Sequence, residues 1–209
     1  YSVGKIDDPK VPLADAVAAS SAFPPVLSPF VLKVKPADFH HVEPNVPADM
    51  LSNIKLSDGG VYDNLGLETV WKRLDTVLVS DAGVALGRNA DPASDWGRLG
   101  MRVVDIIFGQ VASLRTREVI ASFRDKQREG TYWGIRTNIA NYELPDALPC
   151  PFDRTTELAA TPTRLAKLSA RHQERLINWG YAVCDAAVRK HWRPENEPAR
   201  AFPYPEAGV

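Results

Sequence analysis

Leu56-Ser57-Asp58-Gly59-Gly60-Val61-Tyr62-Asp63-Asn64-Leu65-Gly66 sets a carboxylate and two adjacent glycines between an apolar run and a segment of helical character. Two residues without Cβ let the backbone turn sharply and approach other groups closely, which places Asp58 at the end of a strand. Strand ends are where α/β proteins hold their chemistry. An isolated Asp-Gly-Gly also serves as a plain turn whose carboxylate bonds nearby amides, so the neighbouring sequence has to decide between the two readings.

Residues 51–57 read as the strand that delivers Asp58. A helix is expected from Asn64 onward, with Asp63 or Asn64 as N-cap and Leu67, Val70, Trp71 and Leu74 as its apolar stripe. Thr76-Val77-Leu78-Val79-Ser80 is a β-branched run between turn signals and suits a buried parallel strand. Strand, tight turn, helix and strand make a βαβ unit. Asp81 ends the second strand and rivals Asp58 for any catalytic role; the tighter Gly59-Gly60 turn favours Asp58.

Upstream, residues 1–6 read as a short strand closed by Asp7-Asp8-Pro9. Residues 13–22 read as a helix of small residues, with Pro12 near its first turn and Pro24-Pro25 ending it. Residues 28–34 are extended, and 36–50 form a polar loop holding Asp38, His40, His41 and Glu43. Adjacent histidines on a loop rarely converge on one ion, so no metal site is expected; a metal-dependent hydrolysis through this loop would require activity that a chelator removes.

Downstream, 83–94 is a loop suited to the rim of a site, and the chain turns helical from Asp95 to about residue 129. Trp96, Leu99, Val103, Ile107, Val111 and Leu114 recur at spacings of three and four, then the phase slips to Val119, Ile120 and Phe123. That slip predicts two helices or a bend near Arg115. Arg115, Arg117, Arg124, Lys126 and Arg128 read as a solvated face in preference to a phosphate-headgroup site. Residues 131–137 read as a strand, 138–153 as a Pro-rich connection, and Thr161-Pro162 as the start of a helix reaching about Trp192. The stripe of that helix is Leu165, Leu168, His172, Leu176, Trp179, Val183 and Ala187, which makes His172 a core or partner-facing residue. The tail from 193 to 209 carries Pro194, Pro198, Pro203 and Pro205 and is expected to be poorly ordered or pinned to the surface.

The composition of the 209 residues, 44% hydrophobic and 24% charged, is that of a soluble globular protein. A formal net charge of -1 gives no electrostatic reason to expect nucleic acid. No apolar run approaches the roughly 18 residues that span a bilayer, which leaves a cytoplasmic or a peripherally membrane-associated location open. Cys150 and Cys184 fit no metal spacing and read as two unpaired thiols. No cofactor is expected. The chain opens on Tyr1 without a signal peptide, as a processed product or a piece of a longer one would.

Ala16-Val17-Ala18-Ala19-Ser20-Ser21-Ala22-Phe23-Pro24-Pro25-Val26, followed by Ser57-Asp58-Gly59-Gly60-Val61-Tyr62-Asp63-Asn64-Leu65-Gly66, strongly resembles the patatin-like phospholipase family over about residues 13–83. The resemblance implies a three-layer α/β/α sandwich with a central, mainly parallel sheet and a helical C-terminal region. Residues 1–192 would be the C-terminal part of one such domain, and 193–209 its tail. It also implies a lipid acyl hydrolase of the esterase or phospholipase A type, using a Ser–Asp dyad without cofactor. Asp58 matches the position of the base, with Gly59 and Gly60 forming the motif turn.

Such chemistry needs a positioned base, because a serine hydroxyl is a weak nucleophile until its proton is taken. The family's Gly-x-Ser-x-Gly elbow and glycine-rich oxyanion loop occur nowhere in these residues. Ser20, Ser21, Ser57 and Ser80 lack the strained glycine-flanked setting of such an elbow. The expected partner is therefore an N-terminal segment or separate chain carrying the serine and oxyanion loop, acting on a lipid or acyl ester. The alternative is a non-catalytic patatin-like module for lipid or protein interaction.

Overall fold

The computed structural model describes residues 3–25, 27–83, 87, 89–163 and 166–209. Tyr1 and Ser2 of the expected first strand, Val26 of the first motif and Leu165 of the expected last stripe lie outside the described residues. The fold is mixed α/β and divides into two compact units, Tyr1–Leu67 and Glu68–Val209.

In the first unit, β1 (Gly4–Lys5) pairs antiparallel with β3 (His41–Val42), aligning Gly4 with Val42 and Lys5 with His41. The segment expected to be only a loop thus contributes a strand, along with short 3-10 turns at Pro36–Asp38 and Ala48–Leu51. α1 (Leu13–Ser20) begins after Pro12, whose φ of -57° leads directly into a helix and whose missing N–H removes no bond. Its small residues allow close packing, and Ala19 and Ala22 are buried. β2 (Phe30–Leu32) pairs antiparallel with β4 (Ile54–Leu56), Phe30 opposite Leu56 and Leu32 opposite Ile54. β4 therefore ends two residues before Asp58.

The helix expected from Asn64 onward, with Asp63 or Asn64 as its N-cap, forms only over α3 (Leu67–Trp71), and a short helix, α2 (Gly60–Asp63), precedes it with Asn64 as its C-cap. Gly66, with φ +65°, sits between them in the left-handed region that a glycine enters without a Cβ clash and that ends a helix.

In the second unit, β5 (Thr76–Asp81) runs parallel to β6 (Glu129–Gly134), in register from Thr76 opposite Glu129 to Asp81 opposite Gly134. The crossover between them is α4 (Trp96–Arg124). The parallel βαβ unit is thus formed one step later than expected: β4 takes β2 as its partner, and the strand after α4 supplies the parallel neighbour of β5. Val77 and Val79 are buried while Leu78 between them is exposed, the alternation of a strand with one covered face.

α4 is one unbroken helix of 29 residues, N-capped by Asp95, whose Oδ1 accepts the Arg98 N–H at 2.9 Å. The expected break near Arg115 is a change of surroundings along a continuous helix. Upstream, Trp96, Leu99, Val103, Ile107, Val111 and Leu114 are exposed; downstream, Val119 and Ser122 are buried.

The core of this unit is Trp179, Ala182, Val183, Ala186 and Ala187 on α6 (Ala170–His191), closed by Ile139, Tyr142, Cys150 and Leu158. Leu158 belongs to α5 (Phe152–Ala159), a helix absent from the sequence-based expectation because Pro149 and Pro151 mask its start. α6 starts later than expected, with Ser169 as its cap. Thr161 instead closes α5, donating its hydroxyl to Leu158 O at 2.6 Å and meeting His172 Nε2 at 2.8 Å.

Residues 193–209 are pinned. The fully buried Asn178 donates Nδ2 to Tyr204 O at 2.8 Å and Gly208 O at 2.7 Å, and its Oδ1 accepts the Tyr204 N–H at 3.0 Å. Phe202 and Val209 pack against the core. Arg189, 5% exposed, donates to Asp146 at 2.8 Å and to Asp185 at 2.9 Å, while Asp185 also accepts the Ala199 N–H.

Asn178→Ala removes three bonds at once and is expected to lower stability by roughly 2–4 kcal/mol in urea unfolding, with early cleavage of the C-terminal tail in limited proteolysis. Arg189 also holds the Asp146 carboxyl below the usual carboxylate range through its hydrogen bond. A carboxyl with a folded-state pKa below its unfolded one stabilises the fold above its ordinary pKa and loses that contribution as pH falls through the lowered value. The stability gap between the wild type and Arg189→Met is therefore expected to narrow as urea unfolding is repeated from pH 7 down to below about pH 4.

Candidate active site

Asp58 is positioned by its own backbone. Its N–H donates to Ala22 O at 2.9 Å, joining the end of the strand to the residues just past α1. The same carbonyl accepts the Ser57 hydroxyl at 3.3 Å, and Ser57 Oγ in turn accepts from Ser28 Oγ at 3.2 Å. The two sequence motifs, 36 residues apart at these positions by their numbering, are thus bonded to each other through Ala22, which is 1% exposed.

The half-buried Asp58 carboxylate accepts the Gly60 N–H through Oδ1 at 2.6 Å, and Asp58 O accepts the Val61 N–H at 3.1 Å. These bonds fold the turn back on the aspartate and fix the χ angles of its short side chain. Among the described residues, no hydroxyl bonds to that carboxylate, so Oδ2 remains open to a proton donor. This arrangement can accept a proton from a suitably placed hydroxyl.

The two glycines have different reasons to be glycine. Gly59 has φ -60° and ψ -28°, ordinary helical values, and a Cβ there meets nothing within 4 Å. At Gly60 a Cβ would lie 2.7 Å from Asn64 Oδ1 and 2.9 Å from Asp58 Oδ1. The pair was expected to allow a sharp turn; in the fold, Gly60 instead provides room for the carboxylate.

Asp81, the rival, also ends a strand and also accepts an amide two residues on, from Gly83 at 2.7 Å. Its other oxygen is engaged: Tyr132 OH donates to Oδ2 at 2.6 Å. Burial first, and then this bond to a carboxylate, raises the Tyr132 phenol well above its ordinary range. Tyr132 was not singled out in the sequence, although pairing 131–137 beside 76–81 would have placed it near Asp81.

The other candidate groups are engaged elsewhere. His40 Nδ1 meets Asp7 Oδ2 at 2.9 Å and His41 Nε2 lies 3.7 Å from Glu43 Oε1. Among the described residues, no three metal-ligating side chains gather. Of the cations, Arg115 pairs with Glu118 and Glu68, and Arg124 with Asp125. Arg128 donates to Leu74 O at 2.5 Å and Trp71 O at 2.6 Å, with its guanidinium 4.3 Å from the Trp71 ring centroid. Arg128 is thus bound to this chain, while the Arg124 side chain stays largely exposed. Cys150 and Cys184 are free thiols, and burial pushes Cys150 up to about 12, away from thiolate chemistry.

Residues 1–71, a stretch that includes Asp58, match the model of the Patatin-like phospholipase family. The match supports a lipid hydrolase function in general terms. No curated protein and no solved structure matches the chain. No helix among the described residues is long and apolar enough to cross a membrane.

Gly60→Ala is expected to displace the Asp58 carboxylate and destabilise the fold by about 1–3 kcal/mol. Gly59→Ala, in a backbone conformation alanine favours, should be neutral or stabilising by about 0.4–1 kcal/mol in the same thermal unfolding assay.

Proposed function

We propose that this chain supplies the general base, Asp58, to an acyl-ester hydrolase whose serine nucleophile and oxyanion loop lie on a segment outside these residues. The observation carrying this reading is the half-buried Asp58 carboxylate, held on one side by Gly60 N–H and open on the other, inside the stretch that matches the family. A serine from the partner segment would reach the open oxygen and give up its proton as it attacks the ester carbonyl. The tetrahedral oxyanion would be held by donors on that same segment, a contribution of several kcal/mol in hydrolases of this kind. Collapse of the intermediate returns the proton to the leaving alcohol, and water repeats the cycle on the acyl-enzyme. A fatty acyl ester is the substrate class the family match favours.

Asp81 suits the role less well. It lies outside the matched stretch, and its second oxygen is already bonded to Tyr132.

In the complete enzyme, with p-nitrophenyl acyl esters as substrate, Asp58→Asn is expected to lower kcat by on the order of 10²–10⁴-fold, as loss of a general base does. Asp81→Asn should retain most of the turnover of the folded protein. The reverse pattern would assign the base to Asp81, and absence of any turnover or of fluorophosphonate labelling in the complete protein would favour a non-catalytic module.

A further inference from the structure

The carboxylate of Asp81 lies where three elements of the second unit meet. It ends β5, and it accepts the Tyr132 hydroxyl of β6 at 2.6 Å and the Gly83 N–H of the following loop at 2.7 Å. Asp81 and Tyr132 therefore link the two parallel strands through their side chains.

We infer that Asp81 is a structural latch, fixed by Tyr132, that closes the C-terminal end of the β5–β6 sheet and holds the Gly83 amide that follows it. Two observations support this. Both carboxylate oxygens are used, one by a backbone amide and one by a hydroxyl. The phenol is half-buried, so losing its acceptor would strand a polar group away from water. The inference stands apart from the role of Asp58, and its test needs no enzymatic readout.

The two substitutions probe opposite ends of one bond. Tyr132→Phe removes a single oxygen from the latch. Asp81→Asn leaves one acceptor oxygen where two are needed and turns an NH2 group toward a donor. Each is expected to lower the thermal midpoint by about 3–8 °C. Each should also speed exchange of the Gly83 amide by roughly tenfold or more, since that amide loses its fixed acceptor. The double variant should fall no further than the worse single one, because both remove the same interaction.

A spectroscopic signature completes the test. In an ultraviolet titration of the wild type, one tyrosine should ionise after the others, and that last step should disappear in Tyr132→Phe and move to lower pH in Asp81→Asn. An unchanged midpoint and Gly83 exchange in Tyr132→Phe, or additive losses in the double variant, would overturn the latch. If Asp81→Asn does not fold, Tyr132→Phe decides the matter alone through its midpoint, exchange and titration.

Discussion

The bond from Asp58 N–H to Ala22 O is the constraint on which the candidate site depends. A carboxylate at a strand end is useful only if the strand end is fixed, and a three-residue strand such as β4 fixes little by itself. Here the fixing comes from a helix of small residues that brings Ala22, with no bulky side chain to intervene, against the turn. Ser57 adds a second bond to the same carbonyl, and the Gly60 amide then orients the carboxylate. Backbone places the residue, and a missing Cβ leaves the space for its charge.

The same local device has two outcomes in this chain. Asp81 ends β5 and Asp58 follows the end of β4 by two residues, and both accept the amide two residues on. What separates them is the second oxygen. At Asp81 it meets a phenol from the neighbouring parallel strand, which turns the carboxylate into a piece of architecture. At Asp58 it meets no hydroxyl among the described residues, which keeps it available for chemistry. Strand-end position is thus a weak criterion for function; occupancy of the side chain discriminates.

Much of this was legible in the sequence because it was local. Pro12, the alanines of α1 and the helical start at Asp95 act within a few residues, and each did what its chemistry dictates. Asp58 stood out through Gly59-Gly60, although the physical need for glycine proved to be at Gly60 alone. The misreadings arose where partners are distant. Nothing near β4 states that it will pair with β2, and nothing near β5 states that its parallel neighbour lies beyond α4. The phase slip at Arg115 was read as two helices or a bend, and α4 runs through it as one helix, because periodicity reports which face is apolar and not whether a neighbour covers it. The Pro-rich tail was read as poorly ordered or pinned to the surface, and its bonds to Asn178, about 26 residues before Tyr204, decide for the second.

The central claim is that these residues hold a base and no nucleophile. It is tested most directly by treating the natively purified protein with a fluorophosphonate and mapping the modified peptide by mass spectrometry. The expected result is a label on a serine within a Gly-x-Ser-x-Gly sequence outside these residues, with Ser20, Ser21, Ser28, Ser57 and Ser80 unmodified. A label on any serine of this chain, accompanied by ester hydrolysis from the 209 residues alone, would contradict it.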